Sequence, residues 1–345
     1  MEKIINWVRN NKVEFAILIA ILVVGAFLRL YKIADYMTYL GDEGRDVIVV
    51  RRLLVYFDPI LIGPGTSIGN MYLGPLYYYL IAPSLWLAGF SPVGPSVFVA
   101  LVSVLTVFLV WKFGREWFPT SLKLRGASGL IAAFFYAISP TVIIFSRSSW
   151  NPNVMPFFSL LCIYSIWKVW KENKFKWLIV LGISYAFCLQ SHYLGLLLLP
   201  TLGIFLLITK KNKKFWHYSL FSVLLFLFLM SPLVIFDARH GWRNFAAMRK
   251  FFAVRQETVS IKPWKAIPKI FPIFEKINSR LVGGRDINAG VYLTIVIFVF
   301  AVWLIINRKK EERLSKDAYI LIFTWLTFAL LGLGLYKQEI YDHYY

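Results

Sequence analysis

Residues 72–89 read YLGPLYYYLIAPSLWLAG, and the topology of the whole chain depends on whether this apolar stretch crosses a membrane. Pro75 and Pro83 interrupt its helical pattern, because proline lacks a backbone N–H and clashes with the preceding turn. Its tyrosine and tryptophan side chains are typical of a membrane–water interface. The alternative interpretation is an ordinary spanning helix with a kink at proline.

The chain around this stretch has the composition of an integral membrane protein. Of its 345 residues, 59% are hydrophobic and only 16% are charged, and the mean hydropathy is +0.63. A soluble domain of this size does not carry so much apolar surface. We therefore predict an all-α, polytopic membrane protein that forms a single domain over residues 1–345.

Nine other apolar stretches have the length and hydropathy expected of membrane-spanning helices. They cover approximately residues 14–31, 97–112, 127–146, 154–170, 177–190, 193–209, 215–236, 289–307 and 318–336. The first follows a basic segment and is not followed by a small-residue cleavage pattern, so we predict an uncleaved signal anchor.

The placement of lysine and arginine decides between the two topologies. These residues cluster at 3–12, 112–125, 168–176, 210–214 and 308–316. Short loops rich in Lys and Arg stay in the cytoplasm. If 72–89 does not cross, all five clusters lie inside; if it crosses, the last four lie outside. We therefore predict nine spanning helices, a cytoplasmic N-terminus and a re-entrant or interfacial segment 72–89 on the outer face.

With this topology, the unusual polar residues collect on the outer face. The regions that carry them are the first outer loop, 32–96, the turns SRSSWNPN at Ser146–Asn153 and QSHY at Gln190–Tyr193, and the second long outer loop, 237–288. The second long loop is rich in Lys and Arg, but the charge rule applies mainly to short loops. We therefore expect an active site on the outer face of the plasma or inner membrane.

Two adjacent carboxylates, Asp42 and Glu43, stand at the start of a pattern that predicts an interfacial helix. Its apolar face is marked by Val47, Val50, Leu54 and Phe57, and Arg45, Arg51 and Arg52 are expected to reach lipid headgroups. One interpretation makes Asp42 the N-cap of this helix and lets Glu43 complement its positive end. The other makes the pair catalytic, because a carboxylate near an apolar wall can accept a proton from a hydroxyl.

A transferase without a cofactor also needs positive charge for an anionic leaving group. The basic candidates on the outer face are Arg147, His192, Arg239, His240 and Arg243. Each also has a structural interpretation. Arg147 would reach the headgroups from a helix end, His192 would pack in a turn, and Asp237 would form surface ion pairs with its neighbouring arginines.

Other chemistries find no support in the sequence. GxxxxGK[ST], HExxH and a Cys/His cluster with metal-ligand spacing do not occur. No cofactor is predicted, and the sequence does not indicate a divalent metal. The net charge of +20 suggests attraction to anionic membrane lipids rather than to nucleic acid.

The order of these motifs resembles the GT-C glycosyltransferases, and within them the protein O-mannosyltransferase and aminoarabinose transferase group. A basic-flanked span is followed by the DE pair, an interfacial helix and a PLYY segment. GREWF, ISPTVIIFSRSSWNPNVMPFF and CLQSHYLGLLLLP come next. The resemblance covers most of residues 1–240 and weakens after that.

The resemblance implies a GT-C-like fold and an inverting transfer of a sugar from a polyprenyl-phosphate carrier. The acceptor would be a lipid-linked glycan, a lipid or a protein. The first acid of the family's DE motif falls on Asp42, which would be the general base, with Glu43 as a supporting group. The residues expected near the donor and its phosphate are Arg147, Asn151, Asn153, His192, Asp237, Arg239, His240 and Arg243.

The chain departs from the family pattern in two places. A proline pair of the family appears here as Gly74-Pro75-Leu76, without the preceding basic residue. The sequence also stops at YKQEIYDHYY, where an outer loop should lead into another span, so we expect a C-terminally truncated chain.

A lipid-linked sugar flippase or another membrane transporter is the alternative function. Transporters place ionisable residues inside their spans, near the middle of the membrane. Here the predicted spans are nearly free of them, and the polar groups collect on one face. This distribution favours the enzyme.

Overall fold

The computed structural model describes residues 2–66, 71–119, 126–253, 259–260, 262–306 and 313–342. Parts of two predicted basic loops, 120–125 and 307–312, lie outside the described residues. The described chain is helical and contains no β-strand, only isolated bridges such as the one between Gly65 and Tyr72.

The described α-helices follow one another along the chain with short connections. They are α1 Glu2–Asn10, α2 Lys12–Leu30, α3 Ile33–Tyr36, α4 Gly41–Tyr56, α5 Leu76–Leu87, α6 Val93–Trp117, α7 Ala127–Ile138, α8 Pro140–Ser146, α9 Met155–Trp170, α10 Trp177–Ser191, α11 Leu199–Ile208, α12 Lys213–Arg239, α13 Arg243–Ala253, α14 Ile267–Leu281, α15 Ile287–Ile306 and α16 Arg313–Leu335. Short 3-10 helices cover Asn151–Val154, Tyr193–Leu198 and Pro263–Lys265.

Four of these helices are long and apolar enough to cross a membrane, namely α2, α6, α12 and the Lys316–Leu335 part of α16. A fifth candidate is the pair α7 and α8, which is bent by 61°. The bend follows Ser139, because Pro140 starts a new helix at its first position. The prediction of an all-α, polytopic membrane protein is thus confirmed.

The predicted count of nine spans is not reproduced by the described helices, which give four or five. The other apolar stretches form shorter helices, such as α10 with 15 residues. At 1.5 Å per residue, a helix of this length extends about 22 Å, less than the roughly 30 Å of a bilayer core.

The central helices define two ends of the bundle. At the end that we call the far end, the last turns of α6 and α9 meet, where Glu116 accepts hydrogen bonds from Tyr164 and Lys168. At the opposite end, which we call the site end, Asn151 Nδ2 donates to the carbonyl of Ser191 at a distance of 2.5 Å. The start of α9 and the end of α10 therefore lie together at the site end.

Segment 72–89, on which the predicted topology depends, contacts the bundle at the site end. Its helix α5 begins beside the end of α10, where the Leu76 N–H donates to Gln190 Oε1 at 3.3 Å. Its last turn lies against the start of α6, since a Cβ on Gly94 would meet the Ser84 carbonyl oxygen. Both contacts are at the site end, as required of a segment that does not cross. Six of the twelve residues of α5 are buried, with Tyr77 fully enclosed, so α5 packs into the bundle along one face.

Candidate active site

The acidic pair lies in the first turn of α4, and its two members have different surroundings. Glu43 is buried, and its Oε2 accepts a hydrogen bond from the backbone N–H of Leu40 at 3.0 Å. Leu40 occupies the N-cap position and Asp42 lies inside the helix, so the interpretation of Asp42 as the N-cap is wrong. Instead, Glu43 satisfies one of the backbone donors that a helix start leaves free.

Glu43 also links α4 to the turn at Ser146–Asn153. Its Oε1 accepts a hydrogen bond from Ser148 Oγ at 2.5 Å. Two regions that the sequence placed on the same face, 105 residues apart, are therefore in direct contact. Asp42 instead pairs with Arg45, and its side chain is 52% exposed.

Arg45 bridges the exposed carboxylate to a buried one that sequence reasoning missed. Its Nη1 donates to Asp42 Oδ1 at 2.8 Å, while its Nε and Nη2 donate to Asp46 Oδ1 at 2.9 and 2.7 Å. The prediction that Arg45 reaches lipid headgroups is therefore wrong. The i, i+4 spacing of Asp42 and Asp46 was the available signal, since it places both on one helix face.

Asp46 is fully buried under α5. Tyr78 donates its hydroxyl to Asp46 Oδ1 at 3.0 Å, and Asp46 Oδ2 has no hydrogen-bond partner among the described residues. Burial raises the pKa of the Asp46 carboxyl to about 6, although the charge and hydrogen bonds of Arg45 act in the opposite direction. Asp46 is therefore a titratable group just beneath the exposed Asp42.

The remaining residues of the α4 pattern follow the prediction in part. Val47 and Val50 are buried, as the apolar face requires. Phe57 lies beyond the helix end at Tyr56, with a positive φ of 54° and a side chain that is 82% exposed. Arg52 Nη2 pairs with Asp58 Oδ2 at 2.9 Å, so this N–H group is not free to bind a lipid headgroup.

Hydrogen bonds from several helices hold the turn at Ser146–Asn153 in place. Asn153 Nδ2 donates to the Ser148 carbonyl at 3.0 Å, and Tyr77 of α5 donates its hydroxyl to the Ser149 carbonyl. Asn151, as noted, donates to α10. The predicted asparagines thus fix the shape of the turn through their amide groups.

Arg147 of the same turn reaches back to the first span. Its Nη2 donates to the carbonyl of Leu28, and its guanidinium lies 5.2 Å from the ring centre of Tyr36. Its Nε is buried without a hydrogen-bond partner among the described residues. The guanidinium forms no ion pair within the described chain, so its charge is available to an anion.

A second arginine that sequence reasoning did not select lies in the same area. Arg29 is completely buried, and all of its hydrogen-bond acceptors are neutral. They are Ser103 Oγ at 2.9 Å and the carbonyl oxygens of Gly25, Ala137 and Tyr136 at 3.0, 2.8 and 3.2 Å. Only the tertiary structure shows this, because the partners come from three helices.

A cavity of about 430 Å³ lies on the other side of the turn, between α6, α9 and α16. Asn153 and His192 line it together with mainly apolar side chains. His192 Nδ1 accepts a hydrogen bond from the Leu194 N–H at 3.1 Å, with the tautomer assigned from this contact. The cavity is linked to Glu43 through the turn. Asn153 lines the cavity and donates to the Ser148 carbonyl, and the Ser148 hydroxyl donates to Glu43.

The group predicted at the start of the second long loop has a different arrangement. Asp237 is buried, and its two oxygens accept hydrogen bonds from the backbone N–H groups of Asn244 and Phe245 at 2.7 and 2.9 Å. It holds the first turn of α13 in place and forms no ion pair within the described residues. The side chains of Arg239, His240 and Arg243 are exposed.

Among the residues that the structure describes, no three His, Cys, Asp or Glu side chains are grouped to hold a metal ion.

The acidic pair thus follows the first candidate span of an all-helical bundle. Residues 73–236 match the sequence model of the family described as dolichyl-phosphate-mannose-protein mannosyltransferase. The match covers just under half of the chain. This part of the chain is therefore similar to that family of membrane glycosyltransferases.

Two solved structures resemble the fold over 95% of this chain. One is ArnT from Cupriavidus metallidurans bound to undecaprenyl phosphate, with a TM-score of 0.46, 15% sequence identity and 60% of that chain covered. The other is the archaeal oligosaccharyltransferase AglB from Archaeoglobus fulgidus in complex with an inhibitory peptide and a dolichol-phosphate. Its TM-score is 0.48, its identity 12%, and 50% of that chain is covered. No curated protein matches the chain in sequence.

Proposed function

We propose that this protein is an inverting glycosyltransferase that moves a sugar from a polyprenyl-phosphate carrier to an acceptor hydroxyl on the outer face of the membrane. The observation that carries the proposal is the hydrogen bond between Glu43 and Ser148, which joins the acidic pair to the turn that holds Arg147. A base and a cation for the leaving group are thereby brought to one site. The matched family supplies the class of donor, a sugar on a polyprenyl phosphate.

Asp42 is the proposed general base because it is the accessible member of the pair. It takes the proton of the acceptor hydroxyl as that oxygen attacks the anomeric carbon. The bond from the anomeric carbon to the phosphate oxygen breaks, and the polyprenyl phosphate leaves. One such displacement inverts the anomeric centre. Arg45 orients Asp42, and the buried Glu43 fixes the helix start.

Arg147 is the proposed contact for the phosphate that leaves. Guanidinium groups bind phosphate oxygens through charge-assisted hydrogen bonds, and Arg147 has a buried N–H without a partner among the described residues. The distribution of Lys and Arg in short loops supports an outer-face site.

The proposal is tested by sugar transfer in proteoliposomes, beginning with polyprenyl-phosphate mannose and continuing through a panel of other polyprenyl-phosphate sugars. Asp42→Asn keeps the shape of the side chain and removes the base, so turnover should fall by about 10²–10⁴-fold. NMR of the product should show the inverted anomer.

Asp58→Asn is the matched control, because Asp58 also forms an arginine pair, at 2.9 Å and with a 54% exposed side chain. It should turn over at the wild-type rate. Wild-type turnover by Asp42→Asn, or transfer with retention, would contradict the proposed mechanism. Transport of a lipid-linked sugar with no transfer to any acceptor would favour the flippase instead.

A further inference from the structure

The helix α13 follows directly after the site end of a candidate membrane span. That span is α12, which ends at Arg239, and α13 begins at Arg243. The side chain of Asn244 in α13 accepts a hydrogen bond from the Tyr72 N–H at 2.7 Å, which places α13 beside the segment that leads into α5. The end of a spanning helix is where the apolar core of the bilayer meets the headgroups. The helix α13 therefore lies at headgroup level on the site end.

The surface that we call the basic corner carries charge of one sign only. It consists of the exposed residues Arg239, Trp242, Arg243, Phe245, Arg249 and Lys250. Residues 238–250 contain four Lys or Arg and no Asp or Glu. The nearest acid, Asp237, is buried and accepts hydrogen bonds from two backbone N–H groups of α13. None of the four cations forms an ion pair among the described residues.

The basic residues of α4, at the same end of the bundle, have a different environment. Arg45 pairs with Asp42 and Asp46, and Arg52 pairs with Asp58. These pairs occupy the guanidinium groups that the sequence predicted to reach lipid headgroups. In the basic corner the charges are exposed and unpaired, so they are available for charge-assisted hydrogen bonds to an external anion.

The spacing of residues in α13 gives the basic corner an apolar edge. Arg243 and Lys250 are seven residues apart, so they lie on the same face of the helix. Phe245 and Arg249 are four residues apart and are neighbours on the helix surface. Trp242 and Phe245 are 51% and 54% exposed. Lysine and arginine beside exposed aromatic rings are typical of a helix that lies in the membrane–water interface.

We infer that the basic corner binds the headgroups of anionic phospholipids in the leaflet at the site end, with Trp242 and Phe245 inserted at the boundary with the acyl chains. Anionic headgroups complement the four unpaired cations, whereas zwitterionic headgroups carry no net charge. The inference concerns the bilayer around the protein and not the donor or the acceptor. It therefore does not depend on the proposed function.

Hydrogen bonds connect the basic corner to the interior of the site end. The Asn244 N–H donates to Asp237 Oδ1 at 2.7 Å, and the Asn244 side chain holds the N–H of Tyr72. The carbonyl of Tyr72 accepts from the Tyr193 hydroxyl at 2.7 Å. The residue before Tyr193, His192, lines the central cavity. A bilayer that holds α13 in place therefore also restrains the backbone at Tyr72.

The experiment measures hydrogen–deuterium exchange of the full chain in nanodiscs of phosphatidylcholine, with and without phosphatidylglycerol at about 30%. The backbone amides of α13 should exchange at least about fivefold more slowly in the anionic nanodiscs. The Tyr72 amide should slow with them. Salt at about 1 M should remove most of the difference, because the Debye length falls to about 3 Å.

Charge reversal tests the residues of the basic corner. Arg243→Glu, Arg249→Glu and Lys250→Glu together should abolish the dependence on phosphatidylglycerol and leave exchange in phosphatidylcholine as in the wild type. If the triple variant has lost α13 already in phosphatidylcholine, the salt dependence of the wild type decides the matter.

The matched control reverses three exposed lysines around the start of α12, at the opposite end of that helix. They are Lys210, Lys213 and Lys214, each changed to Glu. The charge change is the same, and the lipid dependence of α13 should remain. Asn244→Ala tests the connection to the interior, since it removes the acceptor of the Tyr72 N–H and keeps the backbone bond to Asp237. In this variant α13 should still respond to phosphatidylglycerol, whereas the Tyr72 amide should not.

Four results would overturn the inference. The first is equal exchange of α13 in the two kinds of nanodisc at low salt. The second is equal slowing by soluble glycerol phosphate or by polyphosphate in phosphatidylcholine nanodiscs, because the partner would then be a free anion or a polyanion. The third is equal slowing by a trace of undecaprenyl phosphate, which would assign the basic corner to the carrier. The fourth is loss of the lipid response in the control variant. Sugar transfer is not measured, so these results and the transfer assay are independent.

Discussion

The two ends of the bundle differ in how their buried cations are paired. At the far end, acids and bases pair with each other and join helices. Lys168 of α9 bonds both Glu116 and Glu172, and Arg115 donates to Glu14 at 2.7 Å. These pairs connect α2, α6 and α9, as expected of charges that stabilise the packing of helices.

At the site end, Arg45 and Arg52 of α4 pair with carboxylates, but Arg29 and Arg147 have no acidic partner among the described residues. The carboxylates gather on α4, whereas Arg29 and Arg147 bond to backbone carbonyls, a hydroxyl and a ring. A charge that is already paired within the protein has little capacity left for a ligand, and removing one partner of a buried pair is destabilising. We therefore expect the far-end charges to act on stability and the unpaired arginines of the site end to act on ligand binding.

Arg147→Ala is the sharpest test of this difference. Charge-assisted contacts are worth about 1.5–3 kcal/mol each, so carrier affinity should fall about 10- to 100-fold. Arg147→Lys should restore only part of it, since the fork geometry of the guanidinium is lost. Titration with undecaprenyl phosphate measures the affinity, and thermal unfolding checks that the Leu28 and Tyr36 contacts do not explain the loss. Unchanged affinity would remove Arg147 from the site.

Glu43→Gln should have a smaller effect than Asp42→Asn, with turnover about tenfold lower. The amide can still accept from Ser148 and Leu40, but without the negative charge that strengthens both hydrogen bonds. A double-mutant cycle with Ser148→Ala measures the coupling. The roles of the two acids would be exchanged if Glu43→Gln were inactive and Asp42→Asn were fully active.

Asp46 makes the site sensitive to pH. With a pKa of about 6, it is charged above that pH and holds Arg45, and it becomes protonated below. Arg45 then engages Asp42 alone, and the shared arginine no longer orients the base. Turnover should therefore fall by up to tenfold per pH unit below about pH 6. Asp46→Asn should lower turnover at pH 8 and abolish this acid limb; an unchanged profile would exclude Asp46 as its source.

The same pKa fixes the sign of the effect on stability. An unfolded aspartate titrates near pH 4, so the folded protein holds this proton more tightly. The contribution of Asp46 to the free energy of unfolding is therefore full below about pH 4 and is lost as pH rises to about 6. Turnover and this contribution change in opposite directions, so protonation of Asp46 does not itself destabilise the fold.

Hydropathy and charge predicted the membrane fold and brought the right regions to one face. The predicted membrane crossings placed the acidic pair and the turn at Ser146–Asn153 on the same face. In the structure, Glu43 does contact Ser148. These properties depend on local sequence, since a bilayer selects apolar runs and basic loops one segment at a time.

The partners of individual side chains could not be predicted in this way. Asp46 is buried because Tyr78, 32 residues later, packs over it, and Arg147 bonds a carbonyl 119 residues earlier. Asp237 was predicted near the donor but binds the start of the following helix, because its oxygens reach two free N–H groups there. Such contacts are set by tertiary packing, which hydropathy does not contain.

The far end should respond in stability and not in carrier binding. Lys168→Met leaves Glu116 and Glu172 without their shared cation, and its side chain is only 8% exposed. The free energy of unfolding should fall by about 1–3 kcal/mol. Undecaprenyl phosphate affinity and turnover per folded molecule should equal those of the wild type. A tenfold loss of affinity in this variant would break the division between the two ends.

Lys174→Met should have the smallest effect, although the same ion network is involved. Lys174 pairs with Glu172 at 2.5 Å, but its side chain is 59% exposed, so solvent screens the pair. Exposed pairs contribute about 0.2–1 kcal/mol, and the melting temperature should change accordingly little. If Lys174→Met destabilised the protein as much as Lys168→Met, then burial would not decide what an ion pair contributes at the far end. Burial would then also not explain why the far-end pairs and the unpaired Arg29 and Arg147 of the site end have different roles.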